Sequence, residues 1–299
     1  MNKWIINTPL LYHQNYARTL TLGGTHSGDN EFAGLISNGD NGGTLCLAKA
    51  NTGKWILSGA NTYSGPTTIS AGILEIGGAG LLGGGTYATN IVNSATFRYN
   101  STATQKISGV ISGTGILINN NGTLNLMGTN TYSGATTVSN GTLLVNGSLN
   151  LTSRVMVANA GTLGGAGTVG IVTNSGTLAP GNGSAMGTLT TSNLVLNAGC
   201  TNAFDLGATN TDSITTNSDS VVVNGNLTLN GGVITVTAQA GFGVGTYTLF
   251  SYGTSSGGTL PTVAASFPFR QMSLMNDTTA KKVLLIVDVL PDGTVYKFR

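Results

Sequence analysis

The chain has 299 residues, and its 12 basic and 10 acidic side chains make up only 7% of it, against about 25% in ordinary globular domains. A net charge of +2 with a single basic pair, Lys281-Lys282, gives no long-range field and excludes a nucleic-acid-binding surface. The 46 glycines follow no three-residue period and the apolar residues alternate regularly, which excludes collagen and intrinsic disorder.

The N-terminal segment, residues 1–18, is predicted to be an irregular cap. Its apolar run is interrupted by N-T-P at residues 7–9, so it does not form the hydrophobic region of a signal peptide. We therefore expect an export signal upstream of this sequence, or export together with a longer partner. Apolar runs in the chain are short and interrupted by polar residues or glycine, so no transmembrane segment is predicted.

Residues 19–265 are predicted to form a parallel β-solenoid. The phrase G-A-N-T-Y-S-G-P-T-T-I-S-A-G at residues 59–72 returns as G-T-N-T-Y-S-G-A-T-T-V-S-N-G at residues 128–141. The segments between glycines alternate with a period of two, which points Leu74 and Ile76 inward and Glu75 outward. Stacked coils require equivalent corners to repeat, whereas a β-sandwich does not. We expect about 20 residues per coil.

The recurring phrase is predicted to be a coil corner, between a strand that ends at Leu57 and one that begins near Thr67. Its second copy is expected three coils further on, along the same edge. Two interpretations of its side chains stay open. Tyr63 and Tyr132, with Asn61 and Asn130, form a recognition surface on which glycans stack, or each tyrosine packs over its own corner and shields the coil below.

Residues 266–299 are predicted to form an antiparallel cap, because the end of a solenoid is an open sheet edge. Its three strands are expected at residues 267–275, 282–289 and 294–298. The two cysteines, Cys46 and Cys200, are expected some seven coils apart. Since a disulfide needs Cα atoms within about 7 Å, we predict two free thiols.

The run L-S-G-A-N-T-Y-S-G-P-T-T-I-S-A-G-I-L-E-I-G, and its second copy at residues 126–147, closely resemble the autotransporter-associated β-strand repeat. That repeat is found in passenger domains of bacterial surface and secreted proteins. The resemblance covers roughly residues 19–252. It implies a right-handed parallel β-helix that is exported and held outside the cell, and it implies no particular chemistry.

The ten carboxylates are unevenly placed, since none lies between residues 76 and 204. Asp205, Asp212 and Asp219 recur at equal intervals, which indicates either a metal or glycan site or solvated loop acids. His26, Ser27 and Asp29 bring together the residue types of a nucleophilic triad, but sequence neighbours rarely have triad geometry. No catalytic residue, cofactor-binding residue or metal ligand is therefore assigned.

The sequence predicts a non-enzymatic, structural or adhesive protein of the bacterial cell surface or the extracellular space. Glycans, or the surface of a host or neighbouring cell, are the expected partners. A polysaccharide-processing enzyme with acids near residues 29–40 or 205–219 is the first alternative. The second is a filament subunit that associates head to tail.

Overall fold

The computed structural model describes residues 4–10, 15–26, 28–181, 185–208, 218–264, 267 and 270–290. Apart from one 3-10 turn at Gly83–Gly85, the regular structure in these residues is β-strand, which confirms the predicted all-β class. The strands are β1 (Ile5–Ile6), β2 (Arg18–Leu22), β3 (Asp29–Phe32), β4 (Leu45–Lys49), β5 (Lys54–Leu57), β6 (Thr67–Ile69), β7 (Ile73–Gly78), β8 (Thr86–Tyr87), β9 (Ile91–Asn93), β10 (Thr96–Ser101), β11 (Thr104–Ile107), β12 (Ile111–Ser112), β13 (Ile116–Asn119), β14 (Thr123–Leu126), β15 (Thr136–Val145), β16 (Arg154–Gly165), β17 (Thr168–Asn174), β18 (Thr177–Pro180), β19 (Thr188–Leu196), β20 (Thr201–Leu206), β21 (Ser220–Asn230), β22 (Val233–Ala238), β23 (Gly245–Thr259), β24 (Thr262–Val263), β25 (Arg270–Asp277) and β26 (Lys282–Val289).

The chain divides into two compact units, residues 1–163 with 167–172, and residues 164–166 with 173–299. In the first unit, parallel strands stack in three rows. Row A holds β1, β3, β5, β7, β10, β13 and the first part of β15, and row B holds β8, β11, β14 and the second part of β15. Row C holds β2, β4, β6, β9 and β12. From β7 onward the chain visits A, B and C in turn, which is the coil of a parallel β-solenoid.

The described part of the predicted N-terminal cap already belongs to this stack. β1 pairs in parallel with β3, with Ile5 beside Glu31. Leu10 forms a further parallel bridge to Ile36. Residues 5–10 therefore supply a rung of the solenoid rather than an irregular cover.

The interior of the first unit follows the predicted alternation. Along row A, Trp55, Leu74, Phe97 and Leu117 pair one above the other, and the last three are fully buried. Burying an aliphatic or aromatic side chain of this size contributes about 1.5–3 kcal/mol. The alternating pattern is therefore the main source of stability for the stack.

Glu75 points outward from the same row, as predicted, but it is not solvated. It is 3% exposed, because the Nζ atom of Lys54 lies 2.8 Å and Nη1 of Arg98 lies 3.3 Å from its carboxylate. Lys54 also pairs with Asp29 at 2.9 Å. Successive rungs thus carry alternating charge, which avoids the repulsion between stacked like charges.

Coil length differs between the two units. In the first unit, successive partners in row A are Asp29, Lys54, Ile73, Thr96 and Ile116, and their spacing stays close to the predicted coil length. In the second unit, the successive partners are Thr177, Thr201, Val233 and Thr262, and the two intervals after Thr201 are clearly longer. The predicted coil length is therefore wrong for the second unit.

Some strands of the second unit are long and contain an irregularity in their pairing. The register of β19 against β21 shifts between Thr191 and Leu194. At this irregularity Oδ1 of Asn193 accepts a hydrogen bond from the backbone N–H of Asn226 at 2.7 Å. A Cβ atom on Gly225 would lie only 2.4 Å from that oxygen, so the irregularity requires glycine there.

The second unit ends in antiparallel strands, as predicted. β26 has the predicted bounds, pairs with β25, and pairs on its other side with β23. β25 begins at Arg270, later than the predicted Phe267. The strand predicted at residues 294–298 lies outside the described residues. Cys46 and Cys200 are both free thiols.

Candidate functional site

The asparagine of the recurring phrase is a buried link between coils. Oδ1 of Asn61 accepts a hydrogen bond from the N–H of Ile36 in the coil below, at 3.0 Å. Its Nδ2 donates to the carbonyls of Gly59 at 2.8 Å and of Leu81, in the coil above, at 3.1 Å. The side chain therefore satisfies backbone groups that a corner would otherwise leave unpaired.

Asn130 repeats these contacts in the second copy. Its Oδ1 accepts from the N–H of Ile111 at 2.9 Å. Its Nδ2 donates to the carbonyls of Gly128 at 2.9 Å and Ser148 at 3.1 Å. The two copies of the phrase therefore adopt the same local structure.

The tyrosine of the phrase is also internal. The hydroxyl of Tyr63 lies 2.8 Å from Oγ1 of Thr67, which lies 2.7 Å from the hydroxyl of Tyr87. The hydroxyl of Tyr132 lies 2.6 Å from Oγ1 of Thr136. Burial is the main cause that raises the pKa of both Tyr63 and Tyr132, so both hydroxyls stay neutral.

The four residues predicted as a possible recognition surface are therefore not on a surface. Tyr63, Tyr132 and Asn61 are 0% exposed and Asn130 is 2% exposed. A glycan cannot stack on rings that the solenoid encloses, so this prediction is wrong. The other interpretation, in which each tyrosine packs within its own corner, agrees with the structure.

The two copies do not share an edge. Asn61 lies between β5 of row A and β6 of row C, on the side that row B occupies. Asn130 follows β14 of row B and lies above Ile111 of row C. Three successive rungs of row A lead from Lys54 to Ile116. The chain between these two residues is shorter than the chain between Asn61 and Asn130. The expectation of three coils is right, but the extra length moves the second copy to the next side.

Asp219, one of the acids of the predicted metal or glycan site, is not open to a ligand. Asp219 is 2% exposed, and its two oxygens accept hydrogen bonds from the N–H groups of Gly187 at 2.8 Å and Asp205 at 2.9 Å. Burial raises the pKa of Asp219 to about 7, although these hydrogen bonds act in the opposite direction. The interpretation as solvated loop acids is wrong for Asp219, and Asp212 and Ser27 lie outside the described residues.

A surface groove at the first coils combines the two tryptophans of the chain. It has a volume of about 400 Å³ and is lined by Trp4, Gly23, Gly24, Thr25, His26, Asn30 and Trp55. This volume falls in the range of about 300–1,000 Å³ that is usual for ligand pockets. We call it the Trp4–Trp55 groove, and it is the candidate functional site.

One wall of the groove is a loop that several hydrogen bonds hold in place. Nε1 of Trp55 donates to the carbonyl of Gly23 at 2.8 Å. The N–H of Gly24, whose φ is +97°, donates to Oδ1 of Asn51 at 3.1 Å. The N–H of Gly53 donates to the carbonyl of Gly24 at 3.0 Å. The loop is therefore formed before any ligand arrives.

Asn30 separates the two tryptophans. Trp4 directly precedes the pair of Ile5 with Glu31, and the N–H of Glu31 donates to the carbonyl of Trp4 at 2.8 Å, so Trp4 lies one rung from Asn30. Asn30 in turn pairs with Trp55. Two strand spacings, about 9.5 Å, thus lie between the tryptophan backbones, with a short side chain in the middle rung.

His26 adds a polar group to the groove. Its Nδ1 accepts a hydrogen bond from the N–H of Gly28 at 3.2 Å, so in the neutral ring the proton is on Nε2. Nε2 is buried and has no hydrogen-bond partner among the described residues. A side chain on Gly28 would put its Cβ 2.5 Å from Cε1 of the imidazole, so this arrangement requires glycine.

Sequence reasoning misses this groove because its residues come from three separate coils. The period-two pattern places Trp55 among the inward-facing residues, and Trp4 falls in the predicted cap. The available signal is that both tryptophans of the chain lie near its start, close to short glycine-containing segments. Among the described residues, no cluster of histidine, cysteine and acidic side chains could hold a metal ion, and no helix is long and apolar enough to span a membrane.

Comparisons with known proteins agree with the resemblance of the recurring phrase to the autotransporter-associated repeat. Residues 47–76 and 119–145 each match the passenger-associated transport repeat, and each match contains one copy of the phrase. Over 105 residues, 35% of this chain, it is 42% identical to the Adhesin BmaC autotransporter of Brucella suis biovar 1 (strain 1330). The match covers 3% of that much longer protein.

Proposed function

We propose that the chain is a non-enzymatic adhesive scaffold that acts at the bacterial cell surface or outside the cell, as part of a passenger. The observation that carries this proposal is the burial of both copies of the recurring phrase. Their asparagines and tyrosines close coils and are withdrawn from solvent. The similarity to a protein named as an adhesin and an autotransporter supports both adhesion and export.

The placement of the acids supports a non-enzymatic role. Most glycoside hydrolases use two carboxyl groups that face the substrate. Asp219 is buried and both of its oxygens already accept backbone hydrogen bonds. The segment from residue 77 to residue 204 contains no acid, so its coils can supply no carboxylate pair.

Composition supports contact with other surfaces at short range. Charged side chains make up 7% of the chain, so the outer face is dominated by hydroxyl and amide groups. Such groups form hydrogen bonds without a long-range field. Adhesion by this chain should therefore depend only weakly on ionic strength.

The test is the retention of coated beads under flow. Beads that carry the full chain should remain on a layer of epithelial cells in greater number than albumin-coated beads, in both low and high salt. Equal retention of the two kinds of bead contradicts the proposal. In a parallel assay with polysaccharides, new reducing ends that disappear in Asp205→Asn would instead show an enzyme. Light scattering of the purified chain at increasing concentration shows whether it associates head to tail. Such association could also hold coated beads together.

A further inference from the structure

We propose that the Trp4–Trp55 groove binds a neutral carbohydrate. This inference deepens the adhesive function proposed above and rests on it, because it names the surface chemistry to which the protein adheres. The groove itself can be examined apart from adhesion, with purified chain and soluble sugar. Three features of the groove lead to this ligand class: its aromatic faces, the lack of charge in its described lining, and its size.

The aromatic faces are those of Trp4 and Trp55, and a large aromatic side chain is seldom left exposed to solvent. Trp4 is 68% exposed, and Trp55 is held by its hydrogen bond to Gly23. An exposed indole beside a preformed cavity commonly marks a binding surface. The C–H groups on one face of a pyranose ring form an apolar patch that stacks well on an indole.

The described lining of the groove carries no formal charge. Among the residues that the structure describes there, none is acidic and none is lysine or arginine. An anionic or cationic ligand would lose its hydration without gaining a counter-charge, which is costly. A neutral ligand that presents hydroxyl groups does not meet this penalty.

The size of the groove suits one or two sugar rings. Its volume is about 400 Å³, and Asn30 leaves a gap in the rung between the two tryptophans. The loop at Gly23 and Gly24 forms one wall and is fixed by Asn51 and Gly53. A rigid wall reduces the entropy that binding would otherwise cost.

Intrinsic fluorescence gives a direct readout, because Trp4 and Trp55 are the two tryptophans of the chain and both line the groove. The full chain is titrated with cellotetraose, an N-acetylglucosamine trisaccharide and lactose, and with oligogalacturonate as the charged comparison. We expect a saturable change with at least one neutral sugar and none with oligogalacturonate.

Variants separate the groove from the rest of the surface. Trp4→Ala should weaken binding of the neutral sugar at least tenfold, whereas Trp4→Phe, which keeps an aromatic face, should stay within about threefold. Met127→Ala is the matched control, because Met127 is 49% exposed and lies outside the groove. It should leave the affinity unchanged. Circular dichroism confirms that each variant is folded.

The outcomes are distinct. If none of the neutral sugars gives a saturable change, or if Trp4→Ala binds as well as the wild type, the proposal is wrong. Concentration-dependent self-association that Trp4→Ala abolishes, without sugar binding, would also overturn it, because the occupant is then a second copy. If sugar binds but coated beads do not adhere, the groove proposal stands and the adhesive function fails. Adhesion that persists in Trp4→Ala, with sugar binding absent, supports the function and contradicts the groove proposal.

Discussion

Asn61 and Asn130 make the same three side-chain hydrogen bonds on different sides of the coil. Each accepts from a backbone N–H in the coil below and donates to one carbonyl in its own turn and one in the coil above. The sides of the first unit are therefore similar enough for one phrase to close more than one of them. Each closure contacts only its own turn and the coils directly below and above it.

Replacing this asparagine should be costly. Asn130→Ala leaves the buried N–H of Ile111 without its acceptor, whereas the carbonyls of Gly128 and Ser148 keep backbone donors. Because an unsatisfied buried group costs about 1–3 kcal/mol, we expect a loss of about 1–3 kcal/mol in the free energy of unfolding of the first unit, measured by urea denaturation. Asn140→Ala is the control, since Asn140 is exposed and bonds its neighbour Gly141. Equal effects of the two variants would contradict the role assigned to Asn130.

The two threonines of the phrase should differ in importance. Oγ1 of Thr67 lies within hydrogen-bonding distance of two tyrosine hydroxyls, those of Tyr63 and Tyr87. Oγ1 of Thr136 lies within hydrogen-bonding distance of the hydroxyl of Tyr132. Because a net hydrogen bond contributes about 1 kcal/mol, Thr67→Val should destabilise the chain by about 2 kcal/mol and Thr136→Val by about 1 kcal/mol. Thermal or urea denaturation of the two matched variants measures the difference. A larger effect at Thr136 would contradict the contribution assigned to the second hydrogen bond of Thr67, with Tyr87.

Asp219 should make stability depend on pH. Burial raises its pKa from 3.8 to about 7 in the folded chain, so the folded state binds this proton more tightly than the unfolded state. Its contribution is complete below about pH 4 and is lost as the pH rises toward about 7, by up to about 1.4 kcal/mol per pH unit.

The measurement is urea denaturation at several pH values between 4 and 8. Asp219→Asn should remove this decline, although it also loses one hydrogen bond at every pH. Asp40→Asn, at an exposed acid, should keep it. If the free energy of unfolding of the wild type rises between pH 4 and pH 7 relative to that of Asp219→Asn, the predicted direction of the pH dependence is wrong.

The thiols give an independent check on the interior of the second unit. Burial raises the pKa of Cys200 and removes it from solvent, so a thiol reagent should not modify it in the native chain. Two thiols should react in guanidinium chloride without a reductant. Detection of no thiol under those conditions would reveal a disulfide and contradict the coil arrangement.

Much of the fold follows from the sequence because the solenoid repeats its local rules. The alternation of Leu74, Glu75 and Ile76 predicts which side chains face inward, and the phrase at residues 59–72 predicts the corner between Leu57 and Thr67. These features depend on near neighbours in the chain. The bounds of β26 follow in the same way from its continuous apolar run.

Register over several coils is not predictable in this way. Coils of unequal length in the first unit add small offsets that move Asn130 to another side. The burial of Glu75 depends on Arg98 in the next coil, and the groove depends on Trp4, Asn30 and Trp55 meeting across three rungs. Such contacts are set by the summed coil lengths, and no single segment of sequence contains that information.

The central claim is that each copy of the recurring phrase is a separate coil closure on its own side of the solenoid. Amide hydrogen exchange, measured by NMR on the folded chain, tests it most directly at Ile36 and Ile111. We predict that both amides exchange slowly, that Asn61→Ala accelerates exchange at Ile36 alone, and that Asn130→Ala accelerates it at Ile111 alone. Rapid exchange at both amides in the wild type, or acceleration of both by either variant, would contradict the claim.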